Sequence, residues 1–153
     1  MSLRDWLANR WVDEHTTNAE EIANLLALAD RDLHDARSTE LSVDWRFNIA
    51  YNAALQLAGT ALAATGYRVI RSGPHHHRTI QSLLHTIGAD ANTVRLLDRF
   101  RKKRNVAEYD AVGTISEQEA TEMLALAQSL RQRIHDWLRF NHPTLLIEKD
   151  TNS

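Results

Sequence analysis

Apolar side chains recur at helical spacing along most of the chain. The clearest run starts near Ser42 and extends to about Thr65, with apolar residues alternating at spacings of four and three. Many of them are alanine, so neighbouring helices can approach this segment closely. Gly66 ends the run, because glycine commonly terminates helices. The pattern predicts a long central helix followed by a loop from Tyr67 to Pro74.

Shorter runs of the same kind predict the remaining helices, and they make the chain all-α. We expect an up-and-down bundle of about five helices with a short N-terminal helix in front of it. Residues 1–147 form one domain in this interpretation, and the polar tail 148–153 is expected to fray. The first predicted helix is short, runs from Leu3 to Trp11 and ends before His15, and the second is opened by the capping-box spacing of Thr17 to Glu20 and ends near Ala36. After the central helix, the pattern predicts one helix from His75 to Gly88 and another from about Asn92 to Ala107. The last predicted helix is opened by the capping box at Ser116 and terminated by His142-Pro143.

Composition narrows the classes of protein that fit this pattern. The chain has 153 residues, 43% hydrophobic and 25% charged, which suits a single domain with a real core. The absence of cysteine excludes disulfides and thiolate metal sites. No apolar run approaches the about 20 residues that span a bilayer, and charges near the N-terminus do not fit a signal peptide. We therefore predict a cytoplasmic protein that does not contact membranes.

A charged side chain interrupts one of the apolar stripes. Leu97, Phe100, Arg104 and Ala107 follow at spacings of three, four and three, which places all four on one face of a helix. An arginine turned toward the core must be paired or must face a cleft, since an unpaired buried charge is costly. Glu108, at i+4, can supply an intrahelical ion pair. Arg104 is therefore the first candidate for function.

The residues around Arg104 are strongly basic, although the whole chain is not. The formal net charge is −2, so any nucleic-acid binding depends on a local patch. Between Arg95 and Arg104 the sequence has six basic residues and a single acid, Asp98. Arg101, Lys102 and Lys103 fit either a solvated helix face or a surface that contacts RNA phosphates. Both interpretations stand at this point.

The central helix and the histidines add further candidates. Tyr51 and Asn52 can contribute stacking or hydrogen bonds to a nucleic acid, whereas Trp45 is expected to pack in the core. The triplet His75 to His77 is not predicted to bind metal, because adjacent helical side chains diverge by about 100°. The sequence has no glycine-rich phosphate loop, no zinc-binding helix motif and no nucleophile elbow, so no cofactor or metal is predicted.

Three segments in order resemble the HEPN superfamily of helical-bundle proteins. The first is the aromatic-then-alanine helix from Phe47 to Ala58, which precedes a Gly-Tyr loop. The second is His76 followed by Ile80, similar to the start of the third helix in one branch of the family. The third is Arg104-Asn105-Val106-Ala107-Glu108-Tyr109, an Arg-x-x-x-Glu-Tyr segment, followed by a capped helix. The resemblance covers about Ala19 to Leu138.

The resemblance implies a bundle fold and a link to RNA cleavage, nucleotide binding or toxin-antitoxin modules. Ribonuclease members carry a histidine four to six residues after the motif arginine, and no histidine follows Arg104 at that spacing. In a catalytic version Arg104 stabilises the phosphorane charge, and His76 or Tyr109 replaces the missing histidine. The candidate cleft is built around Arg104, Asn105, Glu108 and Tyr109, with His76 nearby.

Partners also follow from the resemblance. Some toxin members are modified by a partner nucleotidyltransferase on a tyrosine beside the motif, a position that Tyr109 occupies. HEPN ribonucleases pair with their motif helices face to face, and Trp6 and Trp11 suggest apolar surface for a homodimer. The function that we expect is RNA or nucleotide binding in a toxin-antitoxin or defence system, with a nucleotidyltransferase antitoxin as partner. The alternatives are a metal-independent endoribonuclease toxin and a non-catalytic helical adaptor.

Overall fold

The computed structural model describes residues 1–109 and 114–146, with side chains described up to residue 105 and again from residue 114. Six α-helices and one two-stranded ribbon lie in these ranges. This confirms the predicted all-α bundle with a short N-terminal helix. The elements are α1 (Leu3–Ala8), β1 (Val12–Glu14), α2 (Ala19–Ala36), α3 (Val43–Thr65), β2 (Tyr67–Val69), α4 (His75–Gln81), α5 (Ala91–Tyr109) and α6 (Glu117–Asn141), with 3₁₀ turns at Ser82–Leu84 and Pro143–Leu145.

Helix α3 is the centre of the bundle, as its apolar period predicted. Its 23 residues include seven buried alanines, so α2 and α6 pack closely along its sides. Near its start, the ring of Phe47 meets that of Phe100 from α5 edge to face, with centroids 5.5 Å apart. Gly66 follows α3 with a φ of 100°, the left-handed conformation that favours glycine at a helix end.

Helix caps fix most of the boundaries, and one cap differs from its prediction. Ser116 and Glu119 form the predicted capping box of α6, with each side chain bonded to the other residue's backbone N–H. At α2 the predicted box from Thr17 to Glu20 is wrong, because the capping residue is Asn18, whose side chain accepts from the Glu21 N–H. The side chain of Glu21 instead accepts from the hydroxyl of Thr17.

The two-stranded ribbon lies where the sequence predicted the end of a helix and a loop, so both predictions are wrong there. The N-terminal helix ends at Ala8 rather than Trp11, and the predicted loop after Gly66 begins with a strand. Strands β1 and β2 pair antiparallel, with Val12 opposite Val69 and Asp13 opposite Arg68. The reversal between α1 and β1 uses Arg10 at a φ of 59°, so the helix ends without the glycine that would have signalled it.

Two tryptophan predictions need correction. Trp6 is only 5% exposed and packs with Val12, Leu62 and Val69 in a second small core under the ribbon, so it offers no surface to a partner. Trp45 was expected in the core but is 62% exposed, because it lies two residues before the buried Phe47 and therefore on nearly the opposite face of α3.

Within the described ranges, every helix is too short or too polar to cross a bilayer.

The capping box of α6 gives a direct stability test. Replacing Ser116 with alanine removes the acceptor for the Glu119 N–H, and we expect it to lower the free energy of unfolding by about 1 kcal/mol. Thr121→Ala, an exposed change in the same helix, is the matched control, and it should raise stability by a few tenths of a kcal/mol, roughly, through helix propensity. Urea denaturation of both variants measures the difference, and equal stabilities would contradict a structural role for this cap.

Candidate functional site

Tyr51 connects the residues that the sequence singled out. It lies on the side of α3 that faces α4 and α5, and it is 1% exposed. Its hydroxyl lies 3.5 Å from Nδ1 of His76, at the long limit of a hydrogen bond. The guanidinium carbon of Arg104 lies 5.2 Å from the centroid of its ring, within the range of a cation–π contact. Arg104 and His76 therefore share one buried tyrosine as a neighbour.

Burial keeps the hydroxyl of Tyr51 protonated. Desolvation raises the pKa of Tyr51 to about 12, and the positive charges of Arg104 and Arg101 only partly oppose this shift. The hydroxyl is therefore a hydrogen-bond donor at neutral pH and not a base. Because the ring is buried, it has no open face on which a nucleic-acid base can stack. Any contribution of Tyr51 to a ligand passes through Arg104 and His76.

Asp98 collects much of the positive charge around the site. Its Oδ1 accepts hydrogen bonds from His77 Nδ1 and Arg101 Nε, both at 2.8 Å, and Oδ2 lies 3.6 Å from Lys102 Nζ. Burial alone would raise the pKa of Asp98, but the hydrogen bonds from Arg101 and His77 outweigh it and hold the pKa at about 2. Asp98 is therefore ionised throughout the neutral range and ties α4 to α5.

The histidine triplet at the start of α4 points in three directions, as the helical spacing predicted. His76 contacts Tyr51, and His77 donates to Asp98. His75 is half-buried on another side, where desolvation first and the charge of Arg71 second lower its pKa. Among the described residues, no three histidine, aspartate or glutamate side chains form a group that could hold a metal ion.

The structure brings some of the predicted site residues together and separates others. Arg104, Tyr51 and His76 converge, and Asn105 is half-buried on the next position of α5. Asn52 is exposed on α3. The backbone of Glu108 and Tyr109 belongs to α5, but their side chains lie outside the described residues. The predicted ion pair of Glu108 and the roles of Tyr109 therefore stay predictions.

The basic segment divides into two faces of α5. Side chains two positions apart on a helix point about 160° apart, so Lys102 lies on the side opposite Arg104. Arg95, Arg99 and Lys102 follow at spacings of four and three and are all exposed, which makes them one solvated stripe. Lys103 pairs with Glu119 of α6 at 3.3 Å. Arg101 is thus the other basic residue of α5 that approaches Tyr51 and α4.

Sequence reasoning missed Asp98 and His77 as members of the site. The available signal was that Asp98 is the single acid in a basic run, with Arg101 at i+3 and Lys102 at i+4. The contact between His77 and Asp98 joins residues on different helices, so no spacing along the chain indicated it.

Comparisons of the chain with protein-family models, with curated proteins and with solved structures gave no match in any of the three searches.

The carboxylate of Asp98 predicts a pH-dependent stability difference. A folded-state pKa of about 2, below the unfolded value of about 3.9, means that ionised Asp98 stabilises the fold above pH 4, approximately, and loses this effect as the pH falls toward 2. We expect Asp98→Asn to cost about 1–2 kcal/mol at pH 7 and progressively less below pH 4. Chemical denaturation across pH measures this.

Asp35→Asn, at an exposed position of α2, is the matched control and should change stability by less than about 0.5 kcal/mol at every pH. A penalty for Asp98→Asn that stays constant down to pH 2 would show that the charge of Asp98 does not stabilise the fold.

Proposed function

We propose that the protein binds RNA through phosphate contacts in a cleft where α4 meets α5, with Arg104 as the principal phosphate ligand and His76 as a second one. The observation that carries this proposal is the half-buried guanidinium of Arg104 over the ring of Tyr51, 5.2 Å from its centroid. An arginine supported by a buried aromatic ring loses less conformational freedom when it binds. Its planar fork matches the oxygens of a phosphate.

The electrostatics of the cleft favour an anion. Arg101 and His77 flank the same region, and both donate to Asp98 rather than to solvent alone. Asp98 thereby holds these two groups in place while it offsets part of their charge. Arg104 approaches the face of Tyr51. The positive charges of Arg104 and Arg101 both act on Tyr51, so two guanidinium groups of α5 contribute to the potential that an anion meets here.

A hydrogen bond donated by Tyr51 to His76 would favour binding over catalysis. The hydroxyl of Tyr51 stays protonated, so it can donate to Nδ1 of His76. A neutral imidazole that accepts at Nδ1 carries its proton on Nε2, and Nε2 is then a donor to a phosphate oxygen and not a base. Together with the missing motif histidine, this supports an RNA-binding protein without turnover.

The stripe of Arg95, Arg99 and Lys102 offers a matched control, because it has the same charge on the same helix but lies away from Arg104. We expect Arg104→Gln to weaken binding of a short single-stranded RNA by at least about tenfold, the size of one charged hydrogen-bonded contact. Arg99→Gln should weaken binding by less than about threefold, as for a loose phosphate contact. Fluorescence anisotropy with labelled RNA measures both constants at one salt concentration.

Equal losses in the two variants would mean that RNA meets α5 only through its overall charge, and the proposed cleft would be wrong. Failure of the unmodified protein to bind RNA would remove the function itself. Circular dichroism of each variant shows whether a loss of binding comes from unfolding.

A metal-independent endoribonuclease is the second candidate, and the shared contact of Arg104 and His76 with Tyr51 favours it. In that case His76 Nε2 would take the 2′-hydroxyl proton, which requires the ring to carry its proton on Nδ1. Our proposal expects RNA to remain intact when incubated with the purified protein. Cleavage by the unmodified protein that disappears in both His76→Ala and Arg104→Gln would contradict our proposal and support the nuclease alternative.

The toxin-antitoxin or defence role, the nucleotidyltransferase partner and the homodimer belong to this proposal through the HEPN resemblance. An intact-mass measurement after incubation with ATP and a nucleotidyltransferase encoded by a neighbouring gene tests the modification of Tyr109. Sedimentation tests the dimer, for which the exposed aromatics Trp45 and Phe140, 62% and 87% exposed, replace Trp6 as surface candidates. A monomer that binds neither RNA nor a partner enzyme would leave the adaptor alternative.

A further inference from the structure

A cavity of about 610 Å³ lies between α2, α3, the ribbon and α4, apart from the cleft at Arg104. Its volume falls within the about 300–1,000 Å³ that is typical of small-molecule sites. The walls are mainly apolar, with Leu25 from α2, Leu55 and Leu62 from α3, and Val69 from β2. Neither Tyr51, His76 nor Arg104 lines it.

Space is left open in this cavity by a glycine in the middle of α3. Gly59 lines the cavity, and a Cβ atom added there would meet nothing within 4 Å. Glycine in a helix interior costs about 1 kcal/mol relative to alanine. The helix therefore carries a destabilising residue at a position where alanine would fit, and its effect is to widen the cavity.

Gln56 lines this region and carries a buried polar atom without a partner among the described residues. Nε2 of Gln56 donates to Oδ2 of Asp32 at 3.2 Å, which fixes the orientation of the amide because a carboxylate only accepts. The opposite atom, Oε1, is buried and accepts no hydrogen bond from the described part of the chain. An unsatisfied buried acceptor costs about 1–3 kcal/mol. A small shift of the Gln56 side chain toward the cavity would let a ligand with a hydroxyl or amine donor satisfy it.

The charges that line the cavity are not equally available. Glu21 accepts from Thr17 and from His15, each at 2.7 Å, and these hydrogen bonds lower its pKa, so it is an ionised but satisfied carboxylate. Asp13 lies directly opposite Arg68 in the ribbon, so two residues of opposite charge are cross-strand neighbours. Each carboxylate that lines the cavity therefore has a hydrogen-bond donor or a positively charged residue as a neighbour.

Arg71 is the cation best placed for a ligand. It is exposed at the rim, and it forms no ion pair with any described carboxylate. Its charge reaches the neighbouring His75, whose pKa is lowered by burial first and by Arg71 second. His75 is therefore a neutral wall residue at neutral pH, and Arg71 gives the rim its positive charge.

We infer that this cavity binds a small amphipathic anion, with an apolar body, a carboxylate or phosphonate-type group at Arg71, and a hydroxyl or amine donor that reaches Gln56. The apolar walls accept the body, and the guanidinium at the rim selects the sign of the charged group. This site is independent of the proposed RNA cleft, because the two share no side chain.

Three probe ligands with the same phenol ring test which charged group the cavity requires. They are 4-hydroxyphenylacetate, 4-hydroxybenzylphosphonate and tyramine, which differ in whether the charged group is a carboxylate, a phosphonate or an ammonium. We expect calorimetric titration of the full chain to show binding of one or both anions at concentrations up to about 10 mM, and much weaker binding of tyramine. Which anion binds more tightly identifies the preferred group.

Substitutions at the cavity test whether the anion binds there. Arg71→Gln should weaken anion binding by about tenfold, the size of one charged hydrogen bond, whereas the exposed Arg139→Gln at the end of α6 should leave it unchanged. Gly59→Trp should abolish binding by filling the space. Gly59→Ala should retain binding and raise the free energy of unfolding by about 0.5–1 kcal/mol, since its Cβ enters open space.

Absence of binding by both anions, equal binding of tyramine, or undiminished binding in Arg71→Gln would each overturn the proposal. If Gly59→Trp fails to fold, Arg71→Gln still decides the question. Arg104→Gln distinguishes the two sites, because it should leave the anion affinity unchanged while it weakens RNA binding.

Discussion

The burial of α3 on nearly all of its sides is the constraint on which the structure depends. Alanines let α2 and α6 approach, so the polar side chains buried on this helix have residues of the bundle as their neighbours. Thr60 donates back to the Gln56 carbonyl oxygen at 2.7 Å, and Gln56 reaches Asp32. Tyr51 meets His76 and Arg104. Both candidate sites therefore begin at polar residues of one buried helix.

Asp98 organises much of the positive charge between α4 and α5. Its hydrogen bonds to His77 and Arg101 link α4 and α5, while the exposed stripe of α5 faces away. The run of basic residues in α5 therefore does not form one continuous basic surface. Arg104 differs from the other basic residues because the Leu97 and Phe100 face turns it toward α3, where Tyr51 supports it.

Much of the fold was predictable because long helices repeat their signal. The apolar period located α3, and Ser116 located the start of α6. The ribbon was not predictable, since three-residue strands are too short to show alternation and Arg10 ends the first turn without a glycine. In the candidate site, Arg104 was predictable because it interrupts the apolar stripe of its own helix. The pairing of His77 with Asp98 depends on packing between helices, which no local pattern records.

Helix α4 links the cleft and the cavity, because consecutive residues serve the two sites. It has seven residues and no side-chain cap at Pro74, so tertiary contacts rather than intrinsic helix propensity must hold it. His75 faces the cavity, while His76 and His77 tether the same turn to Tyr51 and Asp98. These two tethers hold the turn in place without a ligand, so the cleft and the cavity can bind independently although they share a helix.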